Sequence, residues 1–408
     1  FILFFVVDTM RADGGDVLER IVRLPKTKGT VYSLLGNVSR QSGYMFIYDS
    51  KVIDNDAVVK IKGGERSIRQ AVYDIVGDTG LEFQVIGTHI LIDDGLIELQ
   101  VTSISGEDIL CTVITGGPVS NHKGINVPDV HLNMPYLSEV DQSDILFGIE
   151  QDVDFIAASF VRSAKDVLEI RELLNANGGN NINIISKIEN SEGVNHIDDI
   201  IYVSDGIMVA RGDMGVEIPC EEVPVIQKMI INKVYMAGKQ VITATQMLDS
   251  MIKNPRPTRA ETTDVANAIY DGTSAVMLSG ESAAGKYPVE AVEMMAKIAE
   301  RAEAAIDYKK NFFHYERAAN QNVTDAVCHA ACTTAIDLNA AAVIIVTKSG
   351  VSARNISKYR PSCNIIAGTT SDKAYRQLNM SWGVTPVHLE EQNEVFTLFD
   401  HAVAAGKK

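Results

Sequence analysis

A lysine and a glutamate stand two residues apart at the end of a short apolar run. The run begins at Ile184, and Lys187 and Glu189 close it. Because side chains two apart on a strand point to the same face, we expect the ammonium and the carboxylate to lie together. A cation beside an acidic oxygen at the carboxyl end of a strand favours a metal-assisted reaction on a phosphate or an enolate. This segment is therefore predicted to form part of an active-site rim.

A second apolar run ends at Ala210 and is followed by Arg211, Gly212 and Asp213. Asp213 and Glu189 are hard oxygen ligands, and such a pair suits Mg²⁺ or Mn²⁺. Gly212 has no side chain to cover the backbone N–H groups, so an anionic carboxylate is predicted to dock there.

Two further runs end in hydroxyl residues. Thr245 is a candidate proton relay at the same rim, and Ser279 ends the next run with Glu281 just beyond it. Taken singly, each hydroxyl is better explained as a cap of the helix that follows.

The elements that position these groups repeat along the chain. Predicted strands cover residues 154–159, 182–187, 206–210, 240–245 and 275–279, and predicted helices cover 164–174, 223–237, 262–270 and 288–305. Spacings of roughly 25 to 35 residues are typical of βα units, and continuous apolar runs predict parallel strands buried on both faces. Five units are visible, whereas a (β/α)8 barrel needs eight. The fold class is therefore predicted to be α/β, with an incomplete (β/α)8 barrel over residues 138–308.

Other segments differ in pattern. Residues 320–408 predict an open parallel α/β sheet that ends after a helix and is expected to be truncated, and residues 93–137 are β-rich and punctuated by glycine. Residues 30–92 predict a small α+β module with the order helix, strand, strand, helix, strand, strand, closed by a hairpin around Gly87 and Thr88, with Ser67 capping the second helix. The apolar opening of residues 1–29 is interpreted as a leader or fragment of unclear role.

Composition excludes several classes of partner. The formal net charge of −16 argues against a nucleic acid or an anionic membrane surface. Five cysteines include no CxxC pair, which is typical of a reduced compartment. No apolar run reaches the length of a membrane span.

Residues 184–194 match the active-site signature of pyruvate kinases, and the resemblance extends through about residues 93–408. It rests on long and distinctive stretches: residues 93–97, 123–128, 154–162, 210–213, 244–248, 254–261 and 277–281. The resemblance implies phosphoryl transfer from phosphoenolpyruvate to ADP in the glycolysis of the cytoplasm, on a TIM barrel with a lid domain, here residues 93–137, and an allosteric C-terminal domain. It also implies Mg²⁺ or Mn²⁺, K⁺ and a homotetramer.

The same resemblance assigns roles to individual residues. Lys187 would stabilise the transferring group and the enolate, and Glu189 with Asp213 would hold the metal. The segment Ala210–Asp213, through the amides of Gly212 and Asp213, would bind the substrate carboxylate together with Thr245, and Thr245 would help to protonate the enolate. Ser279 joins Lys187 and Thr245 as a catalytic candidate, and Lys123 resembles a nucleotide-side lysine of the lid.

A loop of the C-terminal segment is a candidate phosphate cradle. Its small hydroxyl residues and glycine stand between a predicted strand and helix, where helix N-terminal amides attract anions: Thr347, Lys348, Ser349, Gly350 and Ser352. It resembles the family's effector loop, which binds phosphorylated sugars or nucleotides. An ordinary capped turn is the alternative.

The segment before residue 93 departs from the kinase pattern. The family's first three barrel strands, its K⁺ ligands and the first half of its lid are not found there in order. Residues 30–92 instead resemble the short N-terminal domain of secretins and TonB-dependent receptors, in Val31–Leu35, Gln41–Tyr44 and Asp78–Leu81.

Three interpretations of function follow. The first is a pyruvate kinase-type phosphotransferase. The second is an inactive chimeric or misassembled product whose N-terminal module binds an envelope partner. The third is a Mg²⁺-dependent keto-acid lyase on a related barrel.

Overall fold

The computed structural model describes residues 2–7, 21–42, 44–47, 53–54, 56–77, 82–86, 89–105, 108–119, 121, 123–128, 134–314, 322–392 and 394–407. The chain divides into two compact units, residues 1–134 and residues 135–408. Among the described residues, no helix is both long and apolar enough to cross a membrane.

The first unit contains two helices and eleven strands within its described residues. They are β1 Ile2–Val7, β2 Ile21–Leu24, β3 Thr27–Thr30, α1 Val31–Ser42, β4 Tyr44–Ile47, β5 Val58–Ile61, β6 Gly64–Ser67, α2 Ile68–Val76, β7 Glu82–Ile86, β8 His89–Ile92, β9 Ile97–Ser105, β10 Asp108–Thr115 and β11 Ile125–Asn126. The predicted element order of residues 30–92 is found, with the short β6 added before α2. The Ser67 hydroxyl accepts the Gln70 N–H at 3.3 Å, so the predicted helix cap is also found.

The hairpin predicted around Gly87 and Thr88 was wrong in its pairing. β7 pairs with β1, whereas β8 pairs with β9 and β11 in a separate sheet of order β10-β9-β8-β11. The connection between β8 and β9 runs through Asp93, Asp94 and Gly95, all with positive φ, which gives the tight turn that a hairpin needs. Gly87 and Thr88 themselves lie outside the described residues. The boundary predicted between residues 92 and 93 thus falls inside a β-hairpin.

The second unit begins with the predicted βα repeats. Its elements through this region are α3 Glu139–Glu150, β12 Phe155–Ala158, α4 Ala164–Ala176, β13 Asn183–Ile188, α5 Ser191–Asn195, α6 Ile197–Val203, β14 Gly206–Ala210, α7 Arg211–Glu217, α8 Val223–Met236, β15 Gln240–Ala244, a 3-10 helix Asp249–Ile252, α9 Arg259–Asp271, β16 Ala275–Val276, α10 Gly280–Ala283, α11 Pro288–Glu303 and α12 Tyr308–His314. In the described part of the chain, five parallel strands form one sheet in the order β12-β13-β14-β15-β16. The predicted α/β class and the five barrel-type strands are confirmed.

The two faces of this sheet bury different residues because side chains alternate along each strand. Ile184 and Ile188 of β13 pack with the helices in the largest core cluster. Ile185 faces the other way and packs with Met208 and Ile242. Lys187 shares the face of Ile185, so its ammonium group belongs to the side that the helices do not cover.

The C-terminal part of the second unit is a three-layer α/β sandwich. Its elements are α13 Val323–Asp337, β17 Ala342–Val346, α14 Val351–Lys358, β18 Asn364–Thr369, α15 Asp372–Leu378, β19 Val384–His388 and α16 Val395–Gly406. The strands pair in parallel in the order β17-β18-β19, as predicted for an open sheet.

Helix α15 contacts the amino end of the barrel-type sheet through ion pairs and a hydrogen bond. Arg376 Nε lies 2.8 Å from Asp154 Oδ2, and Lys373 Nζ lies 2.7 Å from Asp152 Oδ1. Gln377 Nε2 donates to the Asp154 carbonyl oxygen at 3.1 Å. The contacts leave the carboxyl ends of the strands free for chemistry.

Gly206 begins β14 where the neighbouring strands leave no room for a side chain. A Cβ there would lie 2.6 Å from Ile185 Cδ1 and 2.8 Å from the Gln240 carbonyl oxygen. We expect Gly206→Ala to lower the free energy of unfolding by about 1–3 kcal/mol, measured by urea unfolding with circular dichroism. Gly148→Ala in α3 is the control, because its Cβ would meet Val153 at an ordinary 3.4 Å. Equal losses from the two variants would contradict this packing.

Candidate active site

Parallel register brings the predicted site residues to one end of the sheet. Lys187 pairs with Met208 across β13 and β14, and Ala210 pairs with Ala244 across β14 and β15. The residues that follow these pairs must therefore emerge side by side. Glu189, the Arg211–Asp213 segment and Thr245 occupy those positions, as the sequence predicts.

Lys187 and Glu189 form an ion pair at this end of β13. Lys187 Nζ lies 2.7 Å from Glu189 Oε1 and donates a hydrogen bond to Ser159 Oγ at 2.9 Å. The Glu189 side chain is fully buried, whereas Lys187 keeps about a fifth of its side-chain surface exposed, 22%. The ammonium group can therefore reach a bound molecule while the carboxylate stays behind it.

The Glu189 carboxylate has one partner at each oxygen. Oε2 accepts the Phe160 backbone N–H, whereas Oε1 is buried and has the Lys187 ammonium group, 2.7 Å away, as its partner. A buried charge of this kind is costly unless another cation or donor completes its environment.

Burial raises the pKa of the Glu189 carboxyl above its usual range. Lys187 and the Phe160 N–H act against that rise, and the negative charge of Asp213 adds to it. Asp213 is thus close enough for its charge to act on Glu189, as a pair of metal ligands requires. A divalent cation would remove the cause of the rise by neutralising both carboxylates.

These residues fit a hard divalent cation. A buried carboxylate oxygen on Glu189, whose partner is the Lys187 ammonium group, and a second carboxylate on Asp213 match the preference of Mg²⁺, which takes one or two carboxylates and fills its other positions with water and substrate oxygens. Across the described ranges, no group of three His, Cys, Asp or Glu side chains is placed to hold a metal.

Thr245 closes the second half of the site. Its Oγ1 accepts the Gly212 N–H at 2.7 Å and donates to the Ala244 carbonyl oxygen at 2.6 Å. The backbone of Thr245 has φ +68° and that of Gln246 has φ +53°. A left-handed conformation is an outlier for a β-branched residue and costs about 1–3 kcal/mol, so the surrounding contacts must hold it.

Arg211 supplies part of that support. Its guanidinium donates to the Thr245 carbonyl oxygen at 2.7 Å and to the Ala244 carbonyl oxygen at 3.3 Å. It also forms an ion pair with Asp264 of α9 at 2.7 Å. The side chain of Arg211 is therefore used to fix the turn, and the predicted substrate contact of this segment falls to its backbone.

Glu281 is a site residue that the sequence did not single out for a role. Its side chain is buried, with Oε1 accepting the Leu248 N–H at 3.0 Å and Oε2 accepting the Ser279 N–H at 2.8 Å. One carboxylate thus ties the turn after Thr245 to the end of the next strand. Ser279 is held at this rim through that carboxylate.

The remaining candidates lie elsewhere. Lys123 belongs to the first unit, where its Nζ lies 2.7 Å from Asp93 Oδ1; that hydrogen bond and charge raise the pKa of Lys123.

The candidate effector loop joins β17 to α14. Gly350 has φ +79° and donates its N–H to Thr347 Oγ1 at 3.0 Å, while Arg354 Nη2 donates to the Ser349 carbonyl oxygen at 3.3 Å. No side chain caps the amino end of α14, so its amides stay available to an anion.

Metal binding should depend on the protonation of Glu189. Because its folded pKa is raised, its contribution to stability is full below about pH 4.5 and is lost as the pH rises through the folded pKa. Mn²⁺ competes with the proton, so we expect its increase in Tm to be small at low pH and larger above the Glu189 pKa. Differential scanning calorimetry at several pH values measures both effects.

Glu189→Gln should abolish the Mn²⁺ response, because an amide is neutral and a weak metal ligand. Glu290→Gln, on the exposed surface of α11, is the matched control and should keep it. A response to Mn²⁺ that is equal in both variants, or independent of pH, would contradict the assignment.

Glu281→Gln should destabilise the rim. An amide can accept only one of the two N–H groups and would turn its own NH₂ toward the other, so we expect a loss of about 1–3 kcal/mol in the free energy of unfolding. Urea unfolding measures it. Glu293→Gln, whose side chain is 61% exposed, should stay within about 0.5 kcal/mol of the native chain. A Glu281 variant as stable as this control would show that the bridge is unimportant.

Two family descriptions and several known proteins match this chain. The family description "Pyruvate kinase, barrel domain" matches residues 48–292, and "Pyruvate kinase, alpha/beta domain" matches residues 325–408. The chain is 56% identical over 326 residues to the pyruvate kinase of Clostridium acetobutylicum, covering 78% of this chain and 68% of that protein. It is 52% identical over 342 residues to that of Sporosarcina psychrophila, covering 83% and 58%.

A third relative reaches further into the first unit. The pyruvate kinase of Staphylococcus haemolyticus is 46% identical over 396 residues, covering 95% of this chain and 67% of that protein. Both this match and the barrel match include residues before 93, and neither supports the envelope-type interpretation of that segment. The chain spans about three fifths to two thirds of the length of these relatives. With two family matches and three relatives of this identity, the chain belongs to the pyruvate kinase family.

Proposed function

We propose that this chain transfers the phosphoryl group of phosphoenolpyruvate to ADP, giving pyruvate and ATP as a step of glycolysis in the cytoplasm. The observation that supports it most is the partly exposed Lys187 ammonium group held against the buried Glu189 carboxylate, at the strand ends that also carry the Gly212 amide and the Thr245 hydroxyl. Phosphoryl transfer needs positive charge where negative charge moves between oxygens, and this end of the sheet offers it.

The substrate carboxylate would bind at the amides of Gly212 and Asp213. In the structure the Gly212 N–H already donates to an oxygen, Thr245 Oγ1. A substrate carboxylate oxygen would replace that hydroxyl and leave it free to turn toward the substrate. Binding would thus release the group that the next step needs.

Lys187 would face the phosphoryl group and the enolate oxygen. The P–O bond to the enol oxygen breaks, and a new P–O bond forms to the terminal phosphate of ADP. The Lys187 charge would stabilise both the moving group and the enolate that remains. A bound Mg²⁺ or Mn²⁺ on Glu189 and Asp213 would neutralise phosphate charge at this point. K⁺ is expected as in the family, without ligands assigned in this chain.

Thr245 would take part in the last step, in which the enolate carbon gains a proton and becomes the methyl group of pyruvate. Its hydroxyl is held at 2.6 Å from the Ala244 carbonyl oxygen by a strained turn. A group positioned in this way can pass a proton with little rearrangement. Ser279, joined to the same turn through Glu281, would line the rim.

Other sites complete the proposal. Lys123 would contact the nucleotide. The loop of Thr347 to Ser352 would bind a phosphorylated effector, which the uncapped amino end of α14 supports. A homotetramer is proposed from the family alone.

Lys187→Met should lower kcat by about 10³-fold or more, because the charge that stabilises the transition state is lost. Lys187→Arg should keep part of the activity, and Lys165→Met, an exposed cation of α4, should leave it unchanged. Pyruvate formation from phosphoenolpyruvate and ADP with Mg²⁺ and K⁺, coupled to lactate dehydrogenase, measures all four proteins.

The same assay separates the alternatives. A native chain that forms no more pyruvate than Lys187→Met would contradict the proposal and favour an inactive product. Pyruvate release from a larger keto acid without ADP would favour a lyase instead.

A further inference from the structure

A crevice lies inside the second unit, far from the strand ends that carry the proposed chemistry. It opens between the carboxyl end of α8, the start of β15, helix α14 and the segment before β19. Four cations line it: Lys239, Arg354, Lys358 and Arg360. No lining residue is acidic, although the whole chain has a formal net charge of −16. A concentration of positive charge in an acidic protein calls for an explanation.

Three of the four cations lack a carboxylate partner. Lys358 pairs with Asp325 at 3.1 Å. For the others, no ion pair is found among the described residues. Lys239 instead donates to carbonyl oxygens at the end of α6, and Arg360 donates to the Gly272 carbonyl oxygen at 2.8 Å and lies 4.6 Å from the ring centre of Trp382. Carbonyl oxygens and rings carry no net charge, so the charges that oppose these cations are those of Asp205 and Glu303, outside the lining of the crevice.

Arg354 is the least satisfied member of this set. Its Nη2 donates to the Ser349 carbonyl oxygen at 3.3 Å, whereas its Nη1 is buried without any hydrogen-bond partner. Burial lowers the pKa of Arg354, with the charge of Asp205 acting against it, and burial lowers the pKa of Arg360 to about 10. Both directions show that desolvation opposes these charges. A bound anion would offset the desolvation cost of these two guanidinium groups.

Two hydroxyls on the crevice wall still have a proton to donate. Ser274 Oγ accepts the Val241 N–H at 3.2 Å, and Ser381 Oγ accepts from Gln240 Nε2 at 3.0 Å. Each hydroxyl is used as an acceptor, so its own O–H remains available. Hydroxyl donors combined with guanidinium and ammonium groups are what an anion requires.

The size of the crevice limits the anion. The part of the crevice that the protein encloses, its closed volume, is about 20 Å³, enough for roughly one water-sized particle. A tetrahedral oxyanion with four oxygens would extend beyond this part into the open mouth of the crevice, whereas a single halide ion fits inside it. We propose that the crevice binds one small inorganic anion of the size of chloride, between the barrel-type sheet and the C-terminal sandwich. The site is distinct from the candidate effector loop, although Arg354 contacts both.

The consequence is a halide-dependent stability of the full chain. Tm should rise with sodium chloride along a saturable curve, measured at constant ionic strength with sodium gluconate as the balancing salt. Sodium phosphate, too large for the closed volume, should give no saturable rise. A general salt effect would instead increase steadily with concentration in every salt.

Arg354→Met should weaken the chloride response by about tenfold or more, since it removes a charged donor from the wall. Arg354→Lys should retain part of it, and Lys297→Met, an exposed cation of α11, should retain all of it. Crystals of the unaltered chain grown in bromide test the site without any substitution, through an anomalous peak in the crevice.

Several results would overturn the proposal. They are equal responses to chloride and gluconate, a saturable response to phosphate, an unchanged response in Arg354→Met, or a crevice that holds only water in bromide crystals.

Discussion

The parallel register of β13, β14 and β15 is the constraint on which the rest of the site depends. Because Lys187 pairs with Met208 and Ala210 pairs with Ala244, the three strands end at one level and deliver their next residues to one place. A slip by one residue would turn Lys187 into the helix-packed core and Ile188 out of it. The apolar residues that fix the register therefore also fix the chemistry, although none of them touches a substrate.

That arrangement buries one charge. The Glu189 side chain is fully buried, the partner of its Oε1 is the Lys187 ammonium group, and the charge of Asp213 raises the pKa of the carboxyl further. The buried carboxylate of Glu281, in α10, differs because both of its oxygens accept backbone N–H groups. Glu281 therefore supports the fold, whereas Glu189 is the proposed metal ligand. We expect a divalent cation bound at Glu189 and Asp213 to offset the cost of burying the Glu189 charge.

The five strands and the residues at their carboxyl ends could be predicted from the sequence, because both follow from the local pattern of apolar and polar residues. Apolar runs of the right length predict the five strands, and a period of two places Lys187 and Glu189 on one face. The strained turn at Thr245, the Arg211–Asp264 support and the Glu281 bridge join residues that are far apart in the chain. No local pattern contains such contacts. The hairpin around Gly87 was predicted wrongly because β8 pairs with β9, the strand that follows the turn at Asp93 and Asp94, and not with β7.

Glu189 and Asp213 are the proposed ligands of a divalent cation at the carboxyl end of the sheet. The most direct measurement is the crystal structure of the full chain with Mn²⁺, using anomalous scattering at the manganese edge. The account predicts one strong peak within about 2.2 Å of oxygens of both carboxylates, with Lys187 no longer in contact with Glu189 Oε1. A manganese peak elsewhere, or no peak beside Glu189 at saturating Mn²⁺, would contradict it.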